Sequence, residues 1–279
     1  MTTWELLTST WDWQPAVLLA CAVLLVGYLA ALRFRPVAGT FAFAAGVCLL
    51  LVALASPLAM LGHLYLFSAH MVQHLLLVLL VPPLLWLGIP PQLARRMVRR
   101  PAVRAVQRAC GQPLVAWLAG AGAMWIWHLP ALYNAALRQH SLHLVEHASL
   151  LTMGVVFWLP VVSPLEEDRL SPLLAVVYLF TACVGCTILG ITLTFAPPGL
   201  YPAYLHPADP LGIVPLLRQG WGLTPATDQQ LGGLLMWVPA CLVYLSAVIG
   251  VLARWYATPE TETAAAPIDA VPELPLARG

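Results

Sequence analysis

The residues of this chain best suited to chemistry are histidines, and they come in pairs. His70 and His74 stand four apart in HMVQHLLL, and His143 and His147 repeat that spacing in HLVEHASLL, with Glu146 between them. On a helix of about 3.6 residues per turn, each pair projects from one face, one turn apart. Both pairs open apolar runs long enough to cross a bilayer, where imidazole is costly unless it faces protein, water or a metal. Neutral imidazoles ligate copper, zinc or iron, and the thioether of Met71 would favour Cu(I). His63 and His128 add two more rings, while Glu146 and Asp228 are carboxylates that could orient an imidazole or bind a metal directly.

Plainer readings stand beside these. His140 and His206 read as interfacial residues, each near a predicted helix end or loop. Met71 is offset by about 100° from His70 on a helix and reads first as core packing. Cys183 and Cys186 read as small thiols between helices before they read as soft-metal ligands.

The elements that must carry these side chains follow from composition. With 61% apolar and 9% charged residues, the chain is no ordinary soluble domain, for which about a quarter would be charged. We expect an all-α polytopic membrane bundle of seven transmembrane helices within residues 15–256, near 15–32, 39–55, 66–87, 113–127, 142–162, 172–195 and 230–252. Arg33 and Arg35 after the first run place its end in the cytoplasm, so the N-terminus is outside and the C-terminus cytoplasmic. All eight histidines then fall in the outer half of the membrane or beyond it. Pro82-Pro83 predicts a kink late in the third span. Segment 90–110, with Arg95, Arg96, Arg99, Arg100, Arg104 and Arg108, predicts a basic cytoplasmic helix lying on anionic lipid. Residues 1–14 form an external segment without the basic region of a cleaved signal, residues 196–228 an external loop, and residues 257–279 a disordered cytoplasmic tail. Six cysteines, mostly inside apolar runs, argue against a disulfide framework. Neither an HExxH motif nor a Gly-rich phosphate loop occurs, and nothing points to nucleic acid.

The motifs HMVQHLLL, VPPLLWLGIP, WHLPALYNAAL, HLVEHASLL, FWLPV and TPATDQQLGGLLMWVP occur in that order. Together they resemble the CtaG-type family of bacterial cytochrome c oxidase assembly factors, over nearly the whole membrane portion. The resemblance implies a multi-pass protein of the bacterial plasma membrane, not an enzyme, that helps assemble haem-copper oxidases and supplies copper to them. Its partners would be the oxidase subunits and an external copper donor. On this likeness His70, His74, His128, His143, Glu146, His147 and Asp228-Gln229 match the family's polar motif positions. An unrelated single-span copper chaperone shares the family's name, and its cysteine chemistry does not carry over. The expectation is copper, with Cu(I) favoured, on His70, His74, His143 and His147. His128 would serve transient capture and Glu146 would orient a ligand, with His63, Met71 and Asp228 accessory. Competing readings are a di-iron or zinc membrane enzyme, a bis-histidine haem b electron carrier and a metal-free scaffold.

Overall fold

The structure, a computed structural model, describes residues 2–257. Among the described residues every regular element is helical. The helices are α1 (Thr3–Ser9), α2 (Pro15–Ala31), α3 (Thr40–Ala55), α4 (Pro57–Leu64), α5 (Phe67–Gly88), α6 (Pro91–Val98), α7 (Pro101–Cys110), α8 (Pro113–Trp127), α9 (Pro130–Arg138), α10 (His140–Val162), α11 (Pro172–Phe195) and α12 (Pro225–Ala257). Proline opens most of them, because the first helical position has no use for the N–H that proline lacks.

Four helices, α5, α10, α11 and α12, are each long and apolar enough to cross a bilayer. Two bent pairs pass the same test jointly: α3 with α4, which meet at 44°, and α7 with α8, which meet at 71°. The 17-residue α2 is apolar but shorter. Against the seven spans expected from sequence, the structure has four helices long and apolar enough to cross, or up to six if each bent pair is one span. The basic segment 90–110 is two helices rather than one, because Arg100 precedes Pro101 and takes extended backbone (φ −76°, ψ 123°). Of the tail expected at 257–279, residues 258–279 lie outside the described residues.

Helix α5 carries the first histidine pair, and three neighbours fix it. Its N-terminus leaves N–H groups without intrahelical partners, as every helix does. The Asp228 carboxylate, from α12, accepts from Phe67 N at 2.8 Å, Ser68 N at 3.1 Å and Ser68 Oγ at 2.5 Å. One turn further along α12, Gly232 lies so close to the Phe67 ring that a Cβ would collide with it. On the opposite side, Gln73 Nε2 donates to Ala53 O of α3 at 2.8 Å.

Below the histidines α5 widens into a π-helical turn at Leu76–Leu80 and then runs on to Gly88. The kink expected at Pro82-Pro83 is thus absorbed as a wider turn. Pro82 cannot donate to Val78 O four residues back. The Trp158 indole of α10 donates to that carbonyl instead, at 2.9 Å. Gly154, also on α10, lets the two backbones meet there, since a Cβ would sit 3.0 Å from Val78 Cα and Val78 O. The main core formed around this contact draws on α5, α8, α10, α11 and α12. Outward faces remain apolar and exposed, as at Phe180, Phe195 and Leu242, which suits hydrocarbon as the solvent.

Candidate metal centre

The two helical histidine pairs converge. His70, His74, Glu146 and His147 are all buried, and each offers one ligand atom such that the four atoms lie within 4.8 Å of one another. The i, i+4 spacing turns His70 and His74 to the same side of α5, and their Nε2 atoms approach to 2.7 Å. Glu146 Oε1 lies 3.4 Å from His74 Nε2 and 3.7 Å from His70 Nε2. Neither approach has hydrogen-bond geometry, and both Glu146 oxygens are buried without a partner, as are His74 Nδ1, His143 Nε2 and His147 Nε2.

Buried polar atoms are nearly always paired, so the three orphans within the cluster, the two Glu146 oxygens and His147 Nε2, call for an occupant. A cation satisfies all of them at once. Three imidazoles and a carboxylate are a donor set that copper, zinc and iron accept, so the residues fit a metal ion. His70, His74, His147 and Glu146 would hold it.

A second layer of contacts sets the ring orientation. Tyr204 Oη donates to Gly62 O at 2.7 Å and lies 3.2 Å from His70 Nδ1. With the tyrosine proton on the carbonyl, His70 Nδ1 is the donor to Tyr204 Oη, and its Nε2 keeps a lone pair for the centre. Tyr133 Oη stands 3.1 Å from Tyr204 Oη, and its ring is 5.0 Å from that of His70. Gly62 itself lies against the His70 backbone, where a Cβ would come within 2.9 Å of His70 N. That closeness lets α4 deliver the carbonyl.

The other residues singled out by sequence fall into distinct places. The His143 ring is 4.2 Å from that of His147 and 4.5 Å from that of His63, so these two continue the imidazole row beyond the cluster. His63 is half-buried, whereas His140 and His206 are exposed. His128, at the end of α8, donates from Nδ1 to Met124 O at 2.6 Å. Its Nε2 meets Met71 Sδ at 3.2 Å, and its ring centre is 5.3 Å from that of His74. Asp228 touches no imidazole; its carboxylate caps α5. Gln229 Nε2 donates to Ala196 O at 2.9 Å, tying α12 to the end of α11. The polar pair Asp228-Gln229 is therefore part of the frame that aims the histidines.

Sequence reasoning missed the tyrosines. Tyr201 and Tyr204 are buried although they lie in the Pro- and Gly-rich connection 196–228, and Tyr201 Oη donates to His128 O at 2.8 Å. Arg218, in the same connection, donates to Tyr204 O at 2.8 Å and holds that segment over the site. The available signal was two aromatics three apart in a stretch with no other reason to bury them.

The cysteines take a different course. Cys183 Sγ of α11 and Cys241 Sγ of α12 touch at 2.9 Å, and Cys186 donates to Met236 O at 3.0 Å. All six cysteines are free thiols.

Comparison with known proteins places this geometry in context. An uncharacterized protein of Mycobacterium leprae is 23% identical over 270 residues, which cover 88% of this chain and 40% of that protein. An uncharacterized protein of Mycobacterium bovis is 24% identical over 275 residues, covering 88% of this chain and 39% of its own length. The chain thus spans about two fifths of the length of these relatives. No solved structure matches it. The family model described as cytochrome c oxidase caa3 assembly factor matches residues 22–258, and the chain belongs to that family.

Proposed function

We propose that this protein holds a copper ion as cargo on His70, His74, His147 and Glu146 and passes it to the catalytic subunit of a haem-copper oxidase during assembly. One observation carries the reading: a membrane-type helical bundle encloses four metal-ligand side chains whose donor atoms lie within 4.8 Å of one another, with both Glu146 oxygens and His147 Nε2 lacking any partner. Membership of an oxidase assembly family supplies the recipient. His143 and His63 continue the row of rings from the cluster toward the half-buried edge of α4, which gives the ion a path in and out. A cage closed on every side would retain its metal, so such a path suits a carrier.

The orientation follows the arginines. In this reading α2 is the first crossing, at the short limit of about 17 residues, and the 15-residue α8 crosses with its end completed by the turn from α7. Helices α3–α4, α5, α10, α11 and α12 are the rest, and Arg33 and Arg35 at the end of α2 put the N-terminus outside. The C-terminus is then cytoplasmic, and the cluster opens toward the external face of a bacterial plasma membrane. Helices α6 and α7, with their exposed arginines, lie on anionic lipid at the inner face.

Purification without added chelator, followed by elemental analysis, tests the assignment. The expected result is about one copper per chain at the cluster in the wild type, and the loss of that equivalent once His74→Ala and His147→Ala are combined. Copper at background in the wild type would end the reading. In cells, deletion should leave the oxidase catalytic subunit short of copper and added copper should restore it.

The Glu146 carboxylate favours one second reading, a zinc or iron metalloenzyme, because hard oxygen ligands suit those ions better than Cu(I). Stoichiometric zinc or iron with turnover of a lipid substrate would select it. The haem reading has less room: neighbouring imidazole centres are 4.2–5.8 Å apart in direct ring contact, which leaves no slot for a macrocycle.

A further inference from the structure

His128 and Met71 form an arrangement that the four-donor cluster does not use. The carbonyl of Met124 can only accept, so the proton of the 2.6 Å bond sits on His128 Nδ1. Nε2 of the neutral ring then presents a lone pair, and the atom facing it at 3.2 Å is the sulfur of Met71. A thioether has no hydrogen to give. Two electron-pair donors therefore confront each other in a site where His128 is 3% exposed and Met71 is 0% exposed. Placing a second proton on Nε2 would bury a charged ring whose contact is one of the weakest acceptors in a protein.

A soft monovalent cation resolves this confrontation. Thioether and imidazole together select Cu(I), whereas three imidazoles and a carboxylate suit a divalent ion at least as well. His74 joins the two places. Its Nε2 belongs to the four-donor cluster, its ring lies 5.3 Å from that of His128 with the planes at 86°, and its Nδ1 is buried without a partner.

We infer that Met71 Sδ and His128 Nε2 form a second station, selective for Cu(I), separated from the four-donor cluster by the single ring of His74. This rests on the reading of the protein as a copper carrier and adds to it where Cu(I) resides. The ion moves between stations by exchange of ligands, with no change in oxidation state.

Anaerobic titration of the purified full chain with Cu(I), in competition with a chromophoric Cu(I) chelator, tests this directly. The wild type should withhold two equivalents, and X-ray absorption at the copper edge should show a sulfur neighbour. Met71→Leu, close to isosteric, should withhold one equivalent and lose the sulfur signal. Glu146→Gln combined with His147→Ala should also withhold one, with the sulfur signal retained. As a check without any variant, selenomethionine-labelled protein should show a copper neighbour at the selenium edge. One equivalent in both wild type and Met71→Leu, with no sulfur or selenium contact, would overturn the second station while leaving the carrier reading intact. No equivalents in the wild type would overturn both.

Discussion

Between α5 and α10, three imidazoles and a carboxylate crowd together with both carboxylate oxygens, His74 Nδ1 and His147 Nε2 unpaired, whereas between α11 and α12 three thiols have already found partners. Cys183 and Cys241 touch each other and Cys186 bonds the Met236 carbonyl, so nothing there asks for a guest. In the first region Glu146 has both oxygens buried and unpartnered. Both regions contain residue types that bind soft metals, and both lie in apolar helices. What separates them is satisfaction of donors and acceptors, a sharper mark of a binding site than residue type.

The comparison breaks first if the histidines can be removed without consequence. His74→Ala combined with His147→Ala takes two of four ligands and should remove the equivalent of metal held by the cluster, by elemental analysis of protein that still elutes as a single species. Asp228→Ala tests the frame instead. It strips the N-terminus of α5 of a charged acceptor and leaves buried N–H groups without partners, a loss of about 2–3 kcal/mol. Thermal unfolding should move down accordingly, and metal affinity should fall with it because His70 sits in the first turn of that helix. A variant with lowered stability and unchanged metal binding would separate capping from ligand placement.

Much of this was legible in the sequence, for definite reasons. The apolar runs marked α5, α10, α11 and α12, because hydrocarbon demands about 20 uninterrupted residues. The i, i+4 spacing marked both histidine pairs, since helical geometry alone puts them on one face. Other features depend on contacts between distant segments. Asp228 as the cap of α5 links residues about 160 apart in the chain, and no local pattern announces such a pairing. Pro82 announced a kink, but the outcome was set by Trp158, 80 residues from the Val78 carbonyl to which it donates in place of the lost N–H. Tyr204 was hidden for the same reason: in sequence it is a loop residue, and only the packing of that loop over α5 brings its hydroxyl to His70.

Tyr204 sharpens the comparison, because it acts on the cluster through one ring. Tyr204→Phe keeps the aromatic volume and removes the hydroxyl that receives the His70 Nδ1 proton. Loss of such an orienting contact typically costs about 10-fold or more in metal affinity. Competition titration should show that drop with little change in unfolding temperature, since the ring still packs on Phe67 and Tyr133. An equal loss in Tyr204→Phe and in a variant far from the site would mean that general loosening, not ring orientation, is at work.

The smallest effect belongs to the thiols, and it is the one that completes the contrast. Cys186→Ala deletes a buried sulfur and its bond to Met236 O, which should lower stability by about 1 kcal/mol through lost packing. Cys183→Ser keeps the volume and substitutes a hydroxyl that can still meet Cys241. Because these groups are satisfied by one another and by backbone, neither change should alter the metal content or the competition curve. If Cys186→Ala instead removed bound copper as thoroughly as the paired histidine variant does, the two regions would be one pathway. The rule that unpaired donors mark the site would then fail in this protein, since a fully bonded thiol would have been a ligand all along.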